Sequence, residues 1–261
     1  MQEGMHFTIF LWNIRNKAVA IWALGVLIFF SAMPLQNAWA DEDAGCPQHA
    51  YEKERACMVE EQIRVRGVKS LPVLEAMKKI PRHCFVPKGF RDEAYDDHPL
   101  PIGMGQTISQ PYIVALMTEL LDLKPTDRVL EIGTGSGYHS AVVSMLVKEL
   151  YSMEIYQGLG DPARTRLMEL GYNNVKVRIG DGFYGWKEHA PYDAILVTAA
   201  ASEIPPPLVQ QLDKGGKMCI PVGGIYLVQN LMLVTKDING SISTRSVLPV
   251  AFVPLLGGHG N

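Results

Sequence analysis

Three carboxylates stand where an apolar run gives way to a turn: Glu131, Glu154 and Asp181. The first opens the stretch Glu131-Ile-Gly133-Thr-Gly135-Ser-Gly137-Tyr138. Glycines at alternate positions let backbone approach a ligand closely, and a helix starting at Tyr138 would present free N–H groups there. Glu154, near the end of the next apolar run, can accept two hydrogen bonds from the vicinal hydroxyls of a ribose. Asp181 lies between Gly180 and Gly182 after a third run. The glycine spacing is not the dinucleotide fingerprint G-x-G-x-x-G, because Tyr138 falls where the third glycine is required. Three acidic strand ends suit a ligand with a ribose, an adenine and a positive charge, and suit a pyrophosphate badly. That points to S-adenosylmethionine rather than NAD.

The elements that must position these residues follow from periodicity. Val129 to Ile132 reads as a short buried strand, and Tyr138 to Lys148 as a helix with apolar positions at Ala141, Val142, Met145 and Leu146. Leu150 to Ile155 and Val175 to Ile179 read as further strands, separated by a helix from Asp161 to Leu170 that Gly171 closes. Tyr192 to Thr198 is a fourth buried strand. The small residues Ala199, Ala200 and Ala201 after it leave room for something to lie across the strand end. Pro205 to Pro207 starts a short helix through Leu212, and Lys217 to Val222 is again a strand. Leu227 to Thr235 and Ser243 to Phe252 read as antiparallel strands around the turn at Asn239-Gly240. The expected fold class is α/β: a doubly wound, mostly parallel Rossmann-like sheet with antiparallel C-terminal strands and an N-terminal helical extension.

Ahead of this core, Ala50 to Arg66 reads as a charged amphipathic helix ending at Gly67, and Pro72 to Ile80 as a second helix. Pro81 and Pro87 bracket an extended piece, and Phe90 to His98 reads as loop. Gly103 and Gly105 make Leu100 to Pro111 flexible, and Pro111 opens a helix from Tyr112 to Leu121. Thr107 and Ser109 therefore lie just before a helix N-terminus. A helix N-cap is the plain alternative to a catalytic hydroxyl for Ser109. His139, at a helix start, reads as a surface or cap residue.

The 261 residues are 48% hydrophobic and 20% charged, which suits one globular domain with a full core, and the net charge of −3 gives no footprint for nucleic acid. Arg15 and Lys17 precede the apolar run Ala18 to Met33, and Ala38-Trp39-Ala40 follows with an A-x-A pattern, as in a secretory signal peptide. The run is about 16 residues, short of the ~20 that span a membrane. The division expected is 1–40 as signal peptide or membrane anchor and 41–261 as a single domain, with a helical part at 41–100 and the cofactor-binding core at 101–261. An exported, periplasmic or membrane-anchored protein is the first expectation, and a cytoplasmic one the alternative. The four cysteines match no zinc or CxxC spacing. Cys46 and Cys57 could pair in an oxidising compartment, four free thiols being the plainer reading, and Cys219 looks like core. There is no HExxH, and Gly-x-Ser-x-Gly fails at Thr134, so zinc and hydrolase readings have little support.

Several stretches resemble the protein-L-isoaspartate O-methyltransferases, in that family's order. They are Gly105-Gln-Thr-Ile-Ser-Gln-Pro111, Val129 to Tyr138, Gly180-Asp-Gly182, Ala190 to Ile195 with Thr198 to Ala201, and Phe252-Val-Pro-Leu255. The match runs from about Glu54 to Gly258. The glycine stretch is shared by most class I methyltransferases, whereas Gln106 to Pro111 is far more specific. The resemblance implies transfer of a methyl group from S-adenosylmethionine to the α-carboxyl of L-isoaspartyl residues in damaged proteins and peptides. The ester then closes spontaneously to a succinimide that can reopen to normal aspartate. By the same resemblance Ser109 takes the active-site serine position. Glu131, Gly133 and Gly135 line the methionine end of the cofactor, Gly137 also belongs to the cofactor site, Glu154 holds the ribose, and Asp181 with Gly182 lies at the adenine. Thr107, Ile108, Thr198, Ala199, Ala200, Val253 and Pro254 border the acceptor. The expected partners are isoaspartyl proteins and peptides, with no nucleic acid and no metal, for a monomeric enzyme. The alternatives are a class I methyltransferase with another carboxylate or small-molecule acceptor, and a non-catalytic cofactor-binding relative. The cofactor is made in the cytosol, so it and the export signal pull in opposite directions.

Overall fold

The computed structural model describes residues 46–224 and 228–258. The expected signal segment lies outside the described residues, as does Leu227, the expected start of a strand. Among the described residues no helix is long and apolar enough to cross a membrane.

The chain begins with α1 (Glu52–Cys57), which continues as a π turn over Met58–Ile63 and a 3-10 turn over Arg64–Arg66, and stops at Gly67 with φ of 97°. The sequence reads as one regular helix here. The wider winding carries Met58 and Ile63, both fully buried, five residues apart and onto one face. Then come α2 (Leu71–Lys79), the hairpin β1 (Leu100–Gly103) and β2 (Gln106–Ile108), and α3 (Pro111–Leu121). The core follows as β3 (Arg128–Ile132), α4 (Tyr138–Ser144), β4 (Glu149–Glu154), α5 (Gln157–Glu169), β5 (Val175–Ile179) and β6 (Tyr192–Val197). Last are α6 (Pro206–Gln211), β7 (Leu212–Val222), β8 (Gln229–Lys236) and β9 (Ile242–Val250).

Seven strands form one sheet in the order β5-β4-β3-β6-β7-β8-β9. The pairs from β5 to β7 are parallel, and β7–β8 and β8–β9 are antiparallel. The central parallel strands β3, β4 and β6 are buried on both faces, which is why they read as continuous apolar runs, whereas the edge strand β5 alternates apolar and charged residues. The chain builds outward from β3 to β5 and then returns to β6 on the other side of β3. Ligands of open α/β sheets bind at such a reversal, beyond the carboxyl ends of the strands.

Further stretches differ from the expectation: α4 stops at Ser144 rather than Lys148, and β7 begins at Leu212 rather than Lys217. Leu100 to Ile108 is not a flexible loop but an antiparallel hairpin with Met104, at φ of 53°, in its turn. Arg82–Phe85 is a buried 3-10 turn rather than an extended piece. Tertiary bonds hold that turn: Arg82 Nε donates to the Ala94 carbonyl at 2.7 Å, and His83 Nε2 to the Pro47 carbonyl at 3.0 Å. Cys84 of this turn is joined to Cys46 in a disulfide, which overturns the plainer reading of four free thiols and also the alternative Cys46–Cys57 pair; Cys57 is free and exposed. The pairing was not legible because it depends on the turn that brings Cys84 against the segment before α1. Cys219 is core as expected, and burial pushes its thiol up to about 12.

The Cys46–Cys84 bond closes a loop spanning a sequence separation of 38 residues. Unfolding in urea should therefore show the double Cys46→Ser, Cys84→Ser variant less stable than the oxidised protein by about 2–4 kcal/mol. Equal stabilities would mean that the segment before α1 detaches without cost to the domain.

Candidate active site

A cleft of about 780 Å³, open to solvent, lies beyond the carboxyl ends of β3, β4 and β6. One wall is the turn after β3. Gly133 has φ of 97°, and a Cβ there would lie 2.3 Å from Thr198 Oγ1, so only glycine fits. Thr198, just past β6, donates its hydroxyl hydrogen toward the Ile132 and Gly133 carbonyls at 3.0 and 2.8 Å. Thr198 thereby pins the turn from one side. Glu154 pins it from the other: its carboxylate accepts the Gly135 amide at 2.8 Å and the Tyr156 amide at 3.0 Å. Each oxygen retains a lone pair toward the cleft, as a diol would require.

Of the residues expected to hold a cofactor, Gly133, Gly135, Glu154 and Gly182 line this cleft, and Gly137, Glu131 and Asp181 do not. Gly137 is the N-cap of α4, with φ of 88°, and a Cβ would sit 3.2 Å from the Leu167 side chain. Its glycine serves the packing of α4 against α5. Glu131 is fully buried beneath the turn. Register explains this: Glu131 sits opposite Ser152 of β4, and the Ser152 hydroxyl donates to Glu131 Oε2 at 2.6 Å. Ser140 of α4 donates to the same oxygen. Thr134 in turn lies 2.6 Å from Ser152 Oγ, whose hydrogen is committed to Glu131, so Thr134 is the donor. Glu131 therefore anchors a hydroxyl chain under the turn. Burial, offset by the two serines and reinforced by the nearby Glu154, raises its pKa to about 7.

Asp181 likewise departs from the expected contact. Its carboxylate accepts the Phe183 amide at 2.9 Å and the Gly258 amide at 2.8 Å. It thus anchors a strap, residues 252–258, that crosses the strand ends. The strap is held midway by Ala200, whose amide donates to the Val253 carbonyl and whose carbonyl accepts from the Leu255 amide, both at 2.8 Å. That is why Ala200, expected at the acceptor, is turned to the strap and does not line the cleft. Thr107, Ile108, Ser109, Thr198, Ala199, Val253 and Pro254 do line it. Gln110 rather than Ser109 is the N-cap of α3, and it makes no side-chain cap bond. The Ser109 hydroxyl is therefore not the helix cap.

Lining residues that sequence reasoning missed include Gln106, Leu255, Leu256 and His139. The first three adjoin recognised motifs. His139 was read as surface, yet it is only 7% exposed, and burial drops its pKa to about 3. Its ring packs toward α3, where Nε2 lies 2.9 Å from Thr118 Oγ1. A signal was present: Thr118 is a hydroxyl among apolar helix positions, and such a residue often answers a buried polar neighbour.

The cleft thus joins two kinds of wall. Glycine turn and paired-amide carboxylate suit a nucleoside with a flexible polar tail. Small residues, the Ser109 hydroxyl and the strap line the rest of the same cleft. Comparisons with known proteins agree. The profile of the protein-L-isoaspartate(D-aspartate) O-methyltransferases (PCMT) matches residues 53–260. Protein-L-isoaspartate O-methyltransferase 2 of Polaromonas sp. (strain JS666 / ATCC BAA-500) is 62% identical over 71% of this chain and 88% of its own. Protein-L-isoaspartate O-methyltransferase 1 of Nitrosospira multiformis is 54% identical over 91% of this chain and 97% of its own. A solved protein-L-isoaspartate O-methyltransferase superimposes with a TM-score of 0.70 at 29% identity, over 79% of this chain and 66% of that one. A Plasmodium falciparum structure described as a beta-aspartate methyltransferase (PCMT) in complex with S-adenosyl-L-homocysteine gives 0.66 at 26% identity, over 77% of this chain and 98% of that one.

Glu131 gives a pH test with a defined sign. Below the ordinary value of 4.5 the carboxyl is protonated in the folded and the unfolded chain alike. Between there and about 7 the folded protein keeps a proton that the unfolded chain loses, so its stability falls as pH rises through that window. Glu131→Gln carries no such penalty. Thermal melts from pH 4.5 to 8 should show the variant gaining on the wild type by roughly 1–3 kcal/mol as pH rises. Parallel curves would place an ordinary carboxyl at this position.

Proposed function

Because the chain belongs to the protein-L-isoaspartate(D-aspartate) O-methyltransferase family, we propose a role for each wall of its cleft in that reaction. The enzyme moves a methyl group from S-adenosylmethionine to the α-carboxyl of L-isoaspartyl residues in damaged proteins and peptides. The observation that carries the assignment of roles is that one cleft brings Ser109, the turn after β3 and Glu154 together, although they come from separate parts of the chain.

The cofactor, when bound, supplies a methyl group already activated on a sulfonium. The Glu154 carboxylate, held by the Gly135 and Tyr156 amides, would take the ribose hydroxyls. Gly133, Gly135 and Gly182 keep the wall clear of side chains; at Gly182 a Cβ would lie 2.3 Å from Ile132 Cγ2. The acceptor is a carboxylate that is ionised at neutral pH, so no general base is needed. The remaining work is alignment and exclusion of water. Ser109 can donate a hydrogen bond to one acceptor oxygen and leave the other free to react, with Thr107, Thr198 and Val253 around it. The donor is already activated and the acceptor already ionised, so the chemistry calls for neither a general base nor a metal, and the reading is of a monomer.

The location is also a proposal: an exported enzyme, its signal removed after Ala40. The A-x-A pattern supports this, and so does the disulfide at Cys46, a bond that persists in oxidising compartments. Cell fractionation with N-terminal sequencing should find Asp41 first in the exported fraction. An intact Met1 in the cytosol would overturn the reading.

The reaction is tested with labelled S-adenosylmethionine and two peptides that differ only in an isoaspartyl or aspartyl linkage. Base-labile label should appear on the isoaspartyl peptide alone. Ser109→Ala should lower turnover and leave S-adenosylhomocysteine binding intact; unchanged turnover removes Ser109 from the mechanism. Glu154→Ala should weaken that binding by roughly 1–3 kcal/mol.

A further inference from the structure

Ser109 stands at a joint in the chain. Ile108, just before it, ends β2 and pairs with Leu100 of β1, and Gln110, just after it, is the N-cap of α3. The Gln110 side chain does not cap the helix. It turns back to the residues that lead into β1. Its Nε2 donates to the Asp97 carbonyl at 3.0 Å and to Asp97 Oδ1 at 2.8 Å. An amide nitrogen has two hydrogens, so both bonds form at once. Together they close the base of the β1–β2 hairpin just beyond its outermost pair, Leu100 with Ile108. Ser109 is thus held between a strand pairing and a side-chain clamp.

Asp97 is itself fixed. Arg66 Nη1 donates to its Oδ1 at 3.2 Å, and Nη2 donates to its Oδ2. This is the two-pronged pairing that gives an arginine–carboxylate contact its direction. The Arg66 guanidinium also lies 5.0 Å from the centre of the Tyr112 ring, in the first turn of α3. Three segments therefore meet around one carboxylate: the 3-10 turn at Arg64–Arg66, the approach to β1 and the start of α3. The Arg66 and Asp97 side chains keep 40% and 30% of their exposure, where an ion pair adds little stability. Its effect is geometric. None of Arg66, Asp97 and Gln110 lines the cleft, whereas Gln106 to Ser109 all do.

We propose that Asp97 is a positioning residue for methyl transfer. Its carboxylate, braced by Arg66, holds Gln110 and so fixes the Ser109 hydroxyl against the acceptor carboxylate. The inference rests on the role given to Ser109 above. The reaction asks for alignment rather than for a base, so a small displacement of Ser109 costs rate. The cofactor wall is held by other bonds, from Thr198 and to Glu154, and none of them passes through Asp97. Loss of the clamp is therefore felt by the acceptor and not by the cofactor.

The test pairs turnover with cofactor binding on the full chain. Asp97→Ala removes the carboxylate, Asp97→Asn keeps one side-chain oxygen for the Gln110 amide, and Gln110→Leu breaks the clamp from the other side. Asp97→Ala and Gln110→Leu should each cut turnover of the isoaspartyl peptide about tenfold, with S-adenosylhomocysteine bound within about twofold of the wild type. Asp97→Asn should recover much of the loss. In a Ser109→Ala background neither substitution should lower turnover by more than about twofold further, because the group they position is gone. Equal losses with and without Ser109 would show a general structural role and overturn the proposal. So would a loss of S-adenosylhomocysteine binding in step with turnover, or full turnover in both Asp97→Ala and Gln110→Leu. A wild type that transfers no methyl to the isoaspartyl peptide, or Ser109→Ala with full turnover, removes the role of Ser109 and this proposal with it, a result distinct from the other three.

Discussion

The hydrogen bond from the Gly135 amide to the Glu154 carboxylate joins the end of one strand to the turn that follows its neighbour. Most of the cleft depends on it. A backbone N–H at a glycine turn needs a partner, and here a side chain from β4 provides one while remaining at the cleft surface. The same carboxylate takes the Tyr156 amide, so the entry to α5 is set by the group that sets the turn after β3. Thr198 completes the clamp from β6. The backbone geometry of the cofactor wall is therefore in place before any ligand arrives, and little ordering is left to be done on binding.

Beneath that wall lies a second polar layer of different character. Thr134, Ser152, Ser140 and Glu131 form a chain of hydroxyls ending on a buried carboxyl. Glu131, Ser140 and Ser152 are sealed from solvent, whereas Thr134 and Glu154 line the cleft. Two carboxylates at adjacent strand ends thus divide the work by depth. One meets the ligand, and the other fixes the floor on which the turn rests. The nearby Glu154 charge is among the influences that keep Glu131 from ionising at its ordinary pH.

Much of this was legible in the sequence. The central parallel strands β3, β4 and β6 read as apolar runs, and they and β5 lie within a residue of the places expected, whereas β7 begins at Leu212, five residues before Lys217. The residues that motif and turn single out, Gly133, Gly135, Ser109, Glu154 and Thr198, all line one cleft. What was not legible depends on register and on contacts between distant segments. A strand buried on both faces does not say which face Glu131 takes; only its pairing with Ser152 does. Asp181 is bound to an amide 77 residues away in sequence, and Cys46 to a turn whose form rests on Ala94 and Pro47. His139 was misjudged because a helix start is usually exposed, and this one is covered by α3.

The strap has a consequence for how the cleft is closed. Val253 to Leu256 wall one side of it, yet they follow all seven strands in the chain. That side of the cleft is therefore held not by the sheet's own pairing but by two backbone bonds to Ala200 and one amide bond to Asp181, so it can loosen while the seven strands and the glycine turn stay intact.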